Sequence, residues 1–437
     1  MNKKVLIVTY YWPPSAGSGV QRWLKFVKYL PQFGWQPYVF TPKNPSFNLK
    51  DESLLRDVPK EAEVIHFPIW EPYEAFFKLG ALFGNKKKEK ANSIININND
   101  SLFNKVSTWI RGNMLIPDPR RFWIKPSVKF LESFLREKKI DIIITTGPPH
   151  SMHLIGYELK KRNPALKWIA DFRDPWSEWG LLDSLRVTSL ARSLHRKMEK
   201  KVLTLADVIT TITPFYVSHF EKLAKRKVQL LTNGFDEDDF KGLKHEVKDN
   251  FTICHVGVIN EKCNPRPLMN VIFKLIKENK DFASKVRIDF VGEVHSDFKS
   301  FVEQNKTLSS VTSFVPSIPH KELVRVYASS SLLLLILSGY KNAEGYMPGK
   351  LFEYLATGLP VLGVGPEHGN AADLLKTTSA GVMVDETSIS EIENYIIKTF
   401  IAWGSNGHNI DKPVDNQYSR KNLTSQLSKI LELKSIK

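Results

Sequence analysis

Two acids, one lysine and a set of turn residues are concentrated in one segment of the chain, Glu344-Gly345-Tyr346-Met347-Pro348-Gly349-Lys350-Leu351-Phe352-Glu353-Tyr354-Leu355-Ala356-Thr357-Gly358-Leu359-Pro360. The Pro-Gly turn predicts a helix starting at about Lys350, and Gly358 to Pro360 end it before an apolar strand. Lys350 would then lie in the first helical turn, where its charge opposes the helix dipole. That placement makes sense if an anion binds there. Glu353 follows three residues on, on the same face. A carboxylate so placed can accept two hydrogen bonds from a ribose diol. The plain alternative is a surface ion pair between the two side chains.

Other residues with chemical potential stand at expected strand ends. The loop Ala16-Gly17-Ser18-Gly19 opens the first helix, where small residues let backbone amides approach a phosphate. It departs from the dinucleotide fingerprint, because the third glycine position is taken by Arg22. A simple glycine turn is the competing reading. The run Asp171-Phe172-Arg173-Asp174-Pro175-Trp176 alternates acid and base just past a strand. A carboxylate there could orient a hydroxyl or act as a base, or an Asp–Arg pair could brace the loop. His150 follows another strand and could hydrogen-bond a sugar or sit as a satisfied loop histidine. In His255-Val256-Gly257, the glycine allows close approach of a pyrophosphate, which Lys262 and Arg266 could neutralise.

The elements that must hold these residues alternate strand and helix. In the first half the strand candidates are Val5–Val8, Pro37–Thr41, Ile140–Thr145, Trp168–Ala170, Val208–Thr211 and Val228–Leu231. In the second they are Phe251–His255, Val286–Val291, Val311–Phe314, Leu332–Leu337, Val361–Val364 and Gly381–Val384, with helices at Pro267–Glu278, Lys321–Ala328 and Lys350–Thr357. This is the pattern of α/β proteins with parallel sheets. It predicts two doubly wound, Rossmann-like domains, with ligands outside the carboxyl ends of the strands and a cleft between the domains as the default site. The expected division is residues 1–235, 250–400 and a C-terminal helical segment 401–437, joined through the polar stretch Asp236–Asn250. The acidic run Asp236–Asp239 reads as a linker and helix start rather than a metal site.

Between about 70 and 125 the alternation fails. Ala75-Phe76-Phe77 and Leu79–Phe83 are amphipathic, Lys86-Lys87-Lys88 and Lys90 follow, and Arg120-Arg121-Phe122-Trp123 with Lys125 come later. Two readings stand: an insertion that seats on an anionic membrane, or an ordinary helical insertion with a solvated basic loop.

The 437 residues exceed one ordinary core, which agrees with two domains. Two cysteines exclude a disulfide framework and point to a reducing, cytoplasmic setting. Val5–Val8 is too short for a signal segment and reads as a first strand, and Leu332–Leu337 is too short to span a bilayer as a helix. The net charge of +16 admits nucleic acid, an anionic membrane or phosphorylated substrates as partners. No zinc-ligand spacing or RNA-binding signature supports nucleic acid.

The segment from Glu344 to Pro360 resembles the donor-binding motif of GT-B glycosyltransferases, in particular the retaining, family 4-like group. The resemblance extends to the glycine loop, Asp171–Trp176, Thr232-Asn233-Gly234-Phe235-Asp236, His255–Pro267, and Ser317-Ile318-Pro319-His320 with Glu322. It covers most of the chain outside the 70–125 insertion. It implies a GT-B fold and sugar transfer with retention from a nucleotide sugar to a lipid-linked or saccharide acceptor. The setting implied is cell-surface polysaccharide or glycolipid synthesis at the inner face of the plasma membrane. Glu353 would hold the donor ribose. Gly17, Gly19, Gly257, Lys262, Arg266 and Lys350 would surround the diphosphate, and Asp171, Asp174 and His150 would face the acceptor or transferred sugar. No metal or other cofactor is expected, because helix amides and basic side chains would stabilise the leaving group. In the family the two glutamates usually have seven residues between them, whereas Glu344 and Glu353 have eight. The departure weakens the assignment of Glu344 to the sugar. Two other activities fit the same scaffold: a nucleotide-sugar epimerase and a non-catalytic polysaccharide-assembly protein.

Overall fold

The computed structural model describes residues 3–46, 50–72, 102–178, 180–243, 249–337, 342–406 and 415–433. The Ala75–Phe83 and Lys86–Lys90 stretches singled out in the sequence lie outside them. The chain divides into two compact units, Met1–Thr232 with Leu423–Lys437, and Asn233–Asn422.

The first unit holds a 7-stranded sheet in the order β3-β2-β1-β4-β5-β6-β7. Its strands are β1 (Lys3–Val8), β2 (Trp35–Pro42), β3 (Glu63–Phe67), β4 (Ile142–Gly147), β5 (Lys167–Phe172), β6 (Val208–Thr211) and β7 (Gln229–Leu230). The second unit holds a 6-stranded sheet in the order β10-β9-β8-β11-β12-β13. Here the strands are β8 (Phe251–Val256), β9 (Val286–Val291), β10 (Thr312–Val315), β11 (Leu332–Ile336), β12 (Val361–Val364) and β13 (Gly381–Val384). Every strand pairing in both sheets is parallel.

Both sheets are doubly wound, as expected. Each starts at its centre, grows to one edge, then crosses back. The chain order therefore reverses between β1 and β4, and between β8 and β11. The central strands carry apolar residues on both faces, as in Leu332–Ile336, all five of them buried. β3 and the helix Arg121–Lys138 escaped the sequence reading. β3 is an edge strand with no fully buried residue, so its Glu63 to Phe67 stretch shows no continuous apolar run. The helix carries Pro126 in its second turn, a residue that argues against a helix in sequence.

The last helix, Arg420–Glu432, belongs to the first unit from Leu423 onward. Leu423, Leu427, Ile430 and Leu431 join the core formed by Val5, Ile7, Trp23, Val27 and Ile169. Lys167, at the start of β5, donates to the carbonyl of Leu431 at 2.6 Å and so satisfies an orphan acceptor at the helix end. Trp35 Nε1 donates to Ser428 Oγ at 3.0 Å.

Candidate functional site

In the second unit the helix Gly349–Thr357 begins beyond the carboxyl ends of the strands, between β11 and β12 in sequence. Pro348 precedes it in an extended conformation, and no side chain caps the first amides. A helix N-terminus left in this state favours an anion. Lys350 is half-buried there. Its Nζ lies 3.4 Å from His255 Nε2 and would lie 3.0 Å from a Cβ placed on Gly257. Gly257 has φ +132°, a conformation that L side chains rarely adopt. The glycine thus allows both the turn and the approach of the lysine.

His255 is the residue in this group to which the sequence assigned no role. It is buried at the end of β8, with Nδ1 at 3.0 Å from the carbonyl of Leu334. That contact makes Nδ1 the protonated nitrogen and leaves the Nε2 lone pair to Lys350. Burial, reinforced by the Lys350 charge, pushes the His255 pKa far below its usual value, so the ring is neutral. Burial also lowers the Lys350 pKa to about 8. Tyr354 supports the same strand ends: its hydroxyl accepts from Val256 N at 3.1 Å and lies 3.4 Å from the Leu334 carbonyl.

Glu353 does not pair with Lys350. Its Oε1 lies 2.9 Å from His320 Nε2, and its Oε2 accepts from Tyr327 OH at 2.7 Å. Burial disfavours its charge, but His320, the two hydrogen bonds and the charge of Arg420 together hold its carboxyl below the usual range. His320 and Tyr327 stand seven residues apart on one face of the helix His320–Ala328. The surface ion-pair reading of Lys350 and Glu353 is therefore replaced by two separate arrangements, one cationic and one anionic, a turn apart on one helix.

The remaining residues of this unit's expected set are placed differently. Arg266 is exposed and engaged: its Nη2 donates to the Asp297 carbonyl at 3.1 Å and its guanidinium packs 5.1 Å from the Phe301 ring. Lys262 is exposed in the turn organised by Asn260. Glu344 is exposed in a short 3-10 turn, Ala343–Gly345. Its backbone lies against Gly369, where an added Cβ would come within 2.5 Å of the Glu344 carbonyl oxygen. Asp236 accepts from Asp238 N at 3.2 Å and so starts the helix Glu237–Phe240.

In the first unit, Gly17 (φ +100°) precedes the helix Ser18–Tyr29, whose start also lacks a side-chain cap. A Cβ on Gly19 would stand 3.1 Å from both Arg173 Nη1 and the Tyr11 ring. Arg173 donates to the carbonyls of Gly19 (2.9 Å), Gly147 (3.3 Å) and Pro148. It therefore ties the loop after β1 to the loop after β4.

Asp171 and His150, expected to face the acceptor, are both buried in the first unit. Asp171 is fully buried and accepts from Arg22 Nε (3.2 Å), Arg22 Nη2 (2.8 Å), Trp23 Nε1 (2.9 Å), Thr146 Oγ1 (2.9 Å) and Thr210 Oγ1 (2.8 Å). Such a carboxylate has no lone pair to offer an acceptor, and it anchors the first helix to the sheet instead. Burial opposes its charge, yet Arg22 and these donors hold its pKa below the usual range. His150 is buried with its ring stacked on Trp176, centroids 4.7 Å apart at 2°. Burial, with His153, His195 and Arg173 nearby, keeps it neutral. Asp174 alone of the three expected catalytic residues is half-exposed, and its pKa is raised by burial against the opposing charge of Arg173.

Residues 250–400 match the model of a family described as glycosyl transferases group 1. The fold is shared with solved structures of low identity. A glycosyltransferase from Rickettsia africae aligns at TM-score 0.64 and 14% identity, over 99% of this chain and 98% of that one. WaaG, a glycosyltransferase involved in lipopolysaccharide biosynthesis, aligns at TM-score 0.54 and 14% identity, over 98% and 99%. A putative UDP-N-acetylglucosamine 2-epimerase from Listeria monocytogenes aligns at TM-score 0.56 and 10% identity, over 100% and 98%. No curated protein matches the chain in sequence.

Proposed function

We propose that this chain, a glycosyltransferase of the GT-B fold, moves a sugar from a nucleotide-sugar donor held on its second unit to a lipid-linked or saccharide acceptor, with retention. The observation that carries the reading is the helix Gly349–Thr357, which presents a bare N-terminus, Lys350 and Glu353 within one turn inside the matched residues. The amides and the Lys350 ammonium would stabilise the leaving diphosphate, and Glu353 would receive the ribose hydroxyls. His255 would position Lys350, while His320 and Tyr327 would position Glu353. Gly17 and Gly19 stand at the start of the first helix, in the first unit. Asp174 is the remaining candidate to orient the acceptor. The reaction as proposed needs no metal, since those cationic groups supply the counter-charge.

The work of WaaG in lipopolysaccharide synthesis supports a cell-surface glycan as product. The proposed setting is the cytoplasmic face of the plasma membrane. Among the described residues no helix is long and apolar enough to cross a bilayer. The Listeria structure supports a second reading, a nucleotide-sugar epimerase, in which no acceptor takes part.

A panel of nucleotide sugars, assayed for nucleoside diphosphate release with and without lipid-linked acceptors in buffer containing EDTA, separates these. Acceptor-dependent release is expected. An inverted free nucleotide sugar without acceptor would favour the epimerase, and no binding of any donor would overturn both. The anomeric configuration of the product, read by NMR, tests retention.

A further inference from the structure

Large apolar side chains are exposed on segments of the first unit that are tied to one another. Leu190 is 72% exposed, Met114 60%, Trp70 59%, Trp109 44%, Phe122 43% and Leu194 40%. Scattered exposed apolar residues need no explanation, whereas a connected patch does. Here the segments that carry them are linked. The rings of Trp70 and Phe122 meet edge to face at 4.8 Å. Arg121 lies 6.0 Å from the Phe122 ring and donates to the Met114 carbonyl at 2.9 Å. Asn113 donates to the carbonyls of Trp109 (2.8 Å) and Arg186 (3.3 Å) and accepts from Thr188 N (2.8 Å) and Oγ1 (2.7 Å). The helix Leu102–Asn113 is thereby fixed to the start of the helix Ser189–Leu205, and Gly112 allows the closeness: a Cβ there would stand 2.5 Å from the Leu185 carbonyl.

Among the described residues, the exposed charge around the patch is mainly basic. On the helix Ser189–Leu205, Leu190, Leu194, Lys197 and Lys201 recur at spacings of four, three and four, and all are exposed, while Ala191, His195 and Val202 are buried behind them. Lys105 precedes Trp109 by one turn, and Arg121 and Lys125 flank Phe122; all three are exposed. Asp183, the acid in this region, is paired with Arg192 at 2.5 Å.

We propose that this face seats on an anionic lipid surface, with Trp109, Met114, Phe122 and Leu190 entering the headgroup boundary and the lysines and arginines meeting lipid phosphates. A second copy of the chain fits the patch less well. In a two-fold interface the same cations would be brought against each other. Nucleic acid would leave the apolar centre unmatched. The proposal does not rest on the sugar-transfer reading. Of the run Arg120–Trp123 with Lys125 that the sequence singled out, Arg121, Phe122 and Lys125 are exposed, while Arg120 and Trp123 turn inward: Arg120 pairs with Glu71 at 2.9 Å, and Trp123 donates to the Pro68 carbonyl at 2.9 Å.

The test is flotation of the full-length protein with vesicles of phosphatidylcholine alone or mixed with phosphatidylglycerol. Binding to the anionic vesicles alone is expected, weakening as salt rises. The triple change Trp109→Ser, Met114→Ser, Leu190→Ser should cut partitioning at least tenfold. Lys197→Glu with Lys201→Glu should remove its salt-sensitive part. Both variants should keep the wild-type melting temperature and nucleoside diphosphate affinity. Three results would overturn the proposal: no binding by the wild-type protein, equal binding to neutral vesicles, or unchanged binding by the triple variant. A wild-type dimer that the triple variant splits would assign the patch to a second copy instead.

Discussion

Asp171 and Glu353 are both carboxylates in compact settings, yet their surroundings give them different work. Asp171 spends its lone pairs on Arg22, Trp23, Thr146 and Thr210, all inside the first unit. Asp171→Asn would leave the buried Arg22 guanidinium uncompensated, at a cost of about 3–5 kcal/mol. A falling denaturation midpoint checks this, with donor affinity unchanged. The linkage has a definite sign. Because the folded-state pKa is lowered, the stabilisation is present above the unfolded value and is lost as pH falls through the folded one. Glu353 keeps two partners that a ligand's hydroxyls can replace or join. Glu353→Gln should weaken donor binding about tenfold or more, since hydrogen bonds to a charged group contribute about 1.5–3 kcal/mol. Calorimetric titration with the productive donor checks it, and unchanged affinity would refute the ribose assignment. Lys350 titrates at about 8 without ligand. It is cationic below that value, so diphosphate affinity should decline as pH rises through about 8, and Lys350→Met should flatten that profile.

At the scale of elements, the last helix is the clearest case of a segment whose pattern left its place open. Its apolar residues recur at helical spacing, which states that one face is buried but not against what. The core around Trp23 and Val27 supplies the answer, with Leu427 fully buried among them. Leu427→Ala should cost about 2–5 kcal/mol, measured by chemical denaturation. A similar limit applies to the helix Arg121–Lys138. Pro126 is unfavourable inside a helix, while Trp123, Val128 and Leu131 bury a face that stabilises it regardless. The helix Gly349–Thr357 is the opposite case. Its Pro-Gly start and Gly358 end, at φ +71°, are local signals, and the structure places the element within a residue of where they put it.

For the whole molecule, ligand binding should appear as stability. A nucleoside diphosphate at a hundredfold excess over its Kd should add about 2.7 kcal/mol to the unit that binds it. The melting temperature of the transition should rise in the wild-type protein and much less in Lys350→Met. Both sheets being doubly wound follows from strands and helices that alternate along most of the chain, and the alternation was legible because buried parallel strands are short, continuous apolar runs. Strand order was not legible, because the right-handed crossover rule fixes the face a helix takes and not which strand becomes its neighbour. Nor was the half-buried edge strand Glu63–Phe67, because an edge buries too little to leave a pattern.

What the sequence by itself determined was local: which segments are strands, where the helix at Lys350 starts and stops, and that Lys350 and Glu353 share its first turns. Backbone preference and apolar periodicity act over a few residues, and so they can be read from a few residues. The tertiary structure decided which charged groups are available and which are spent. Arg22 reaches Asp171 across 149 positions, His255 reaches Lys350 across 95, and His320 reaches Glu353 across 33. Such partners are chosen by the winding of the sheets and the packing of helices against them. The same Asp that looked poised for an acceptor was thereby committed to the core, and a histidine without an assigned role was placed beneath the lysine.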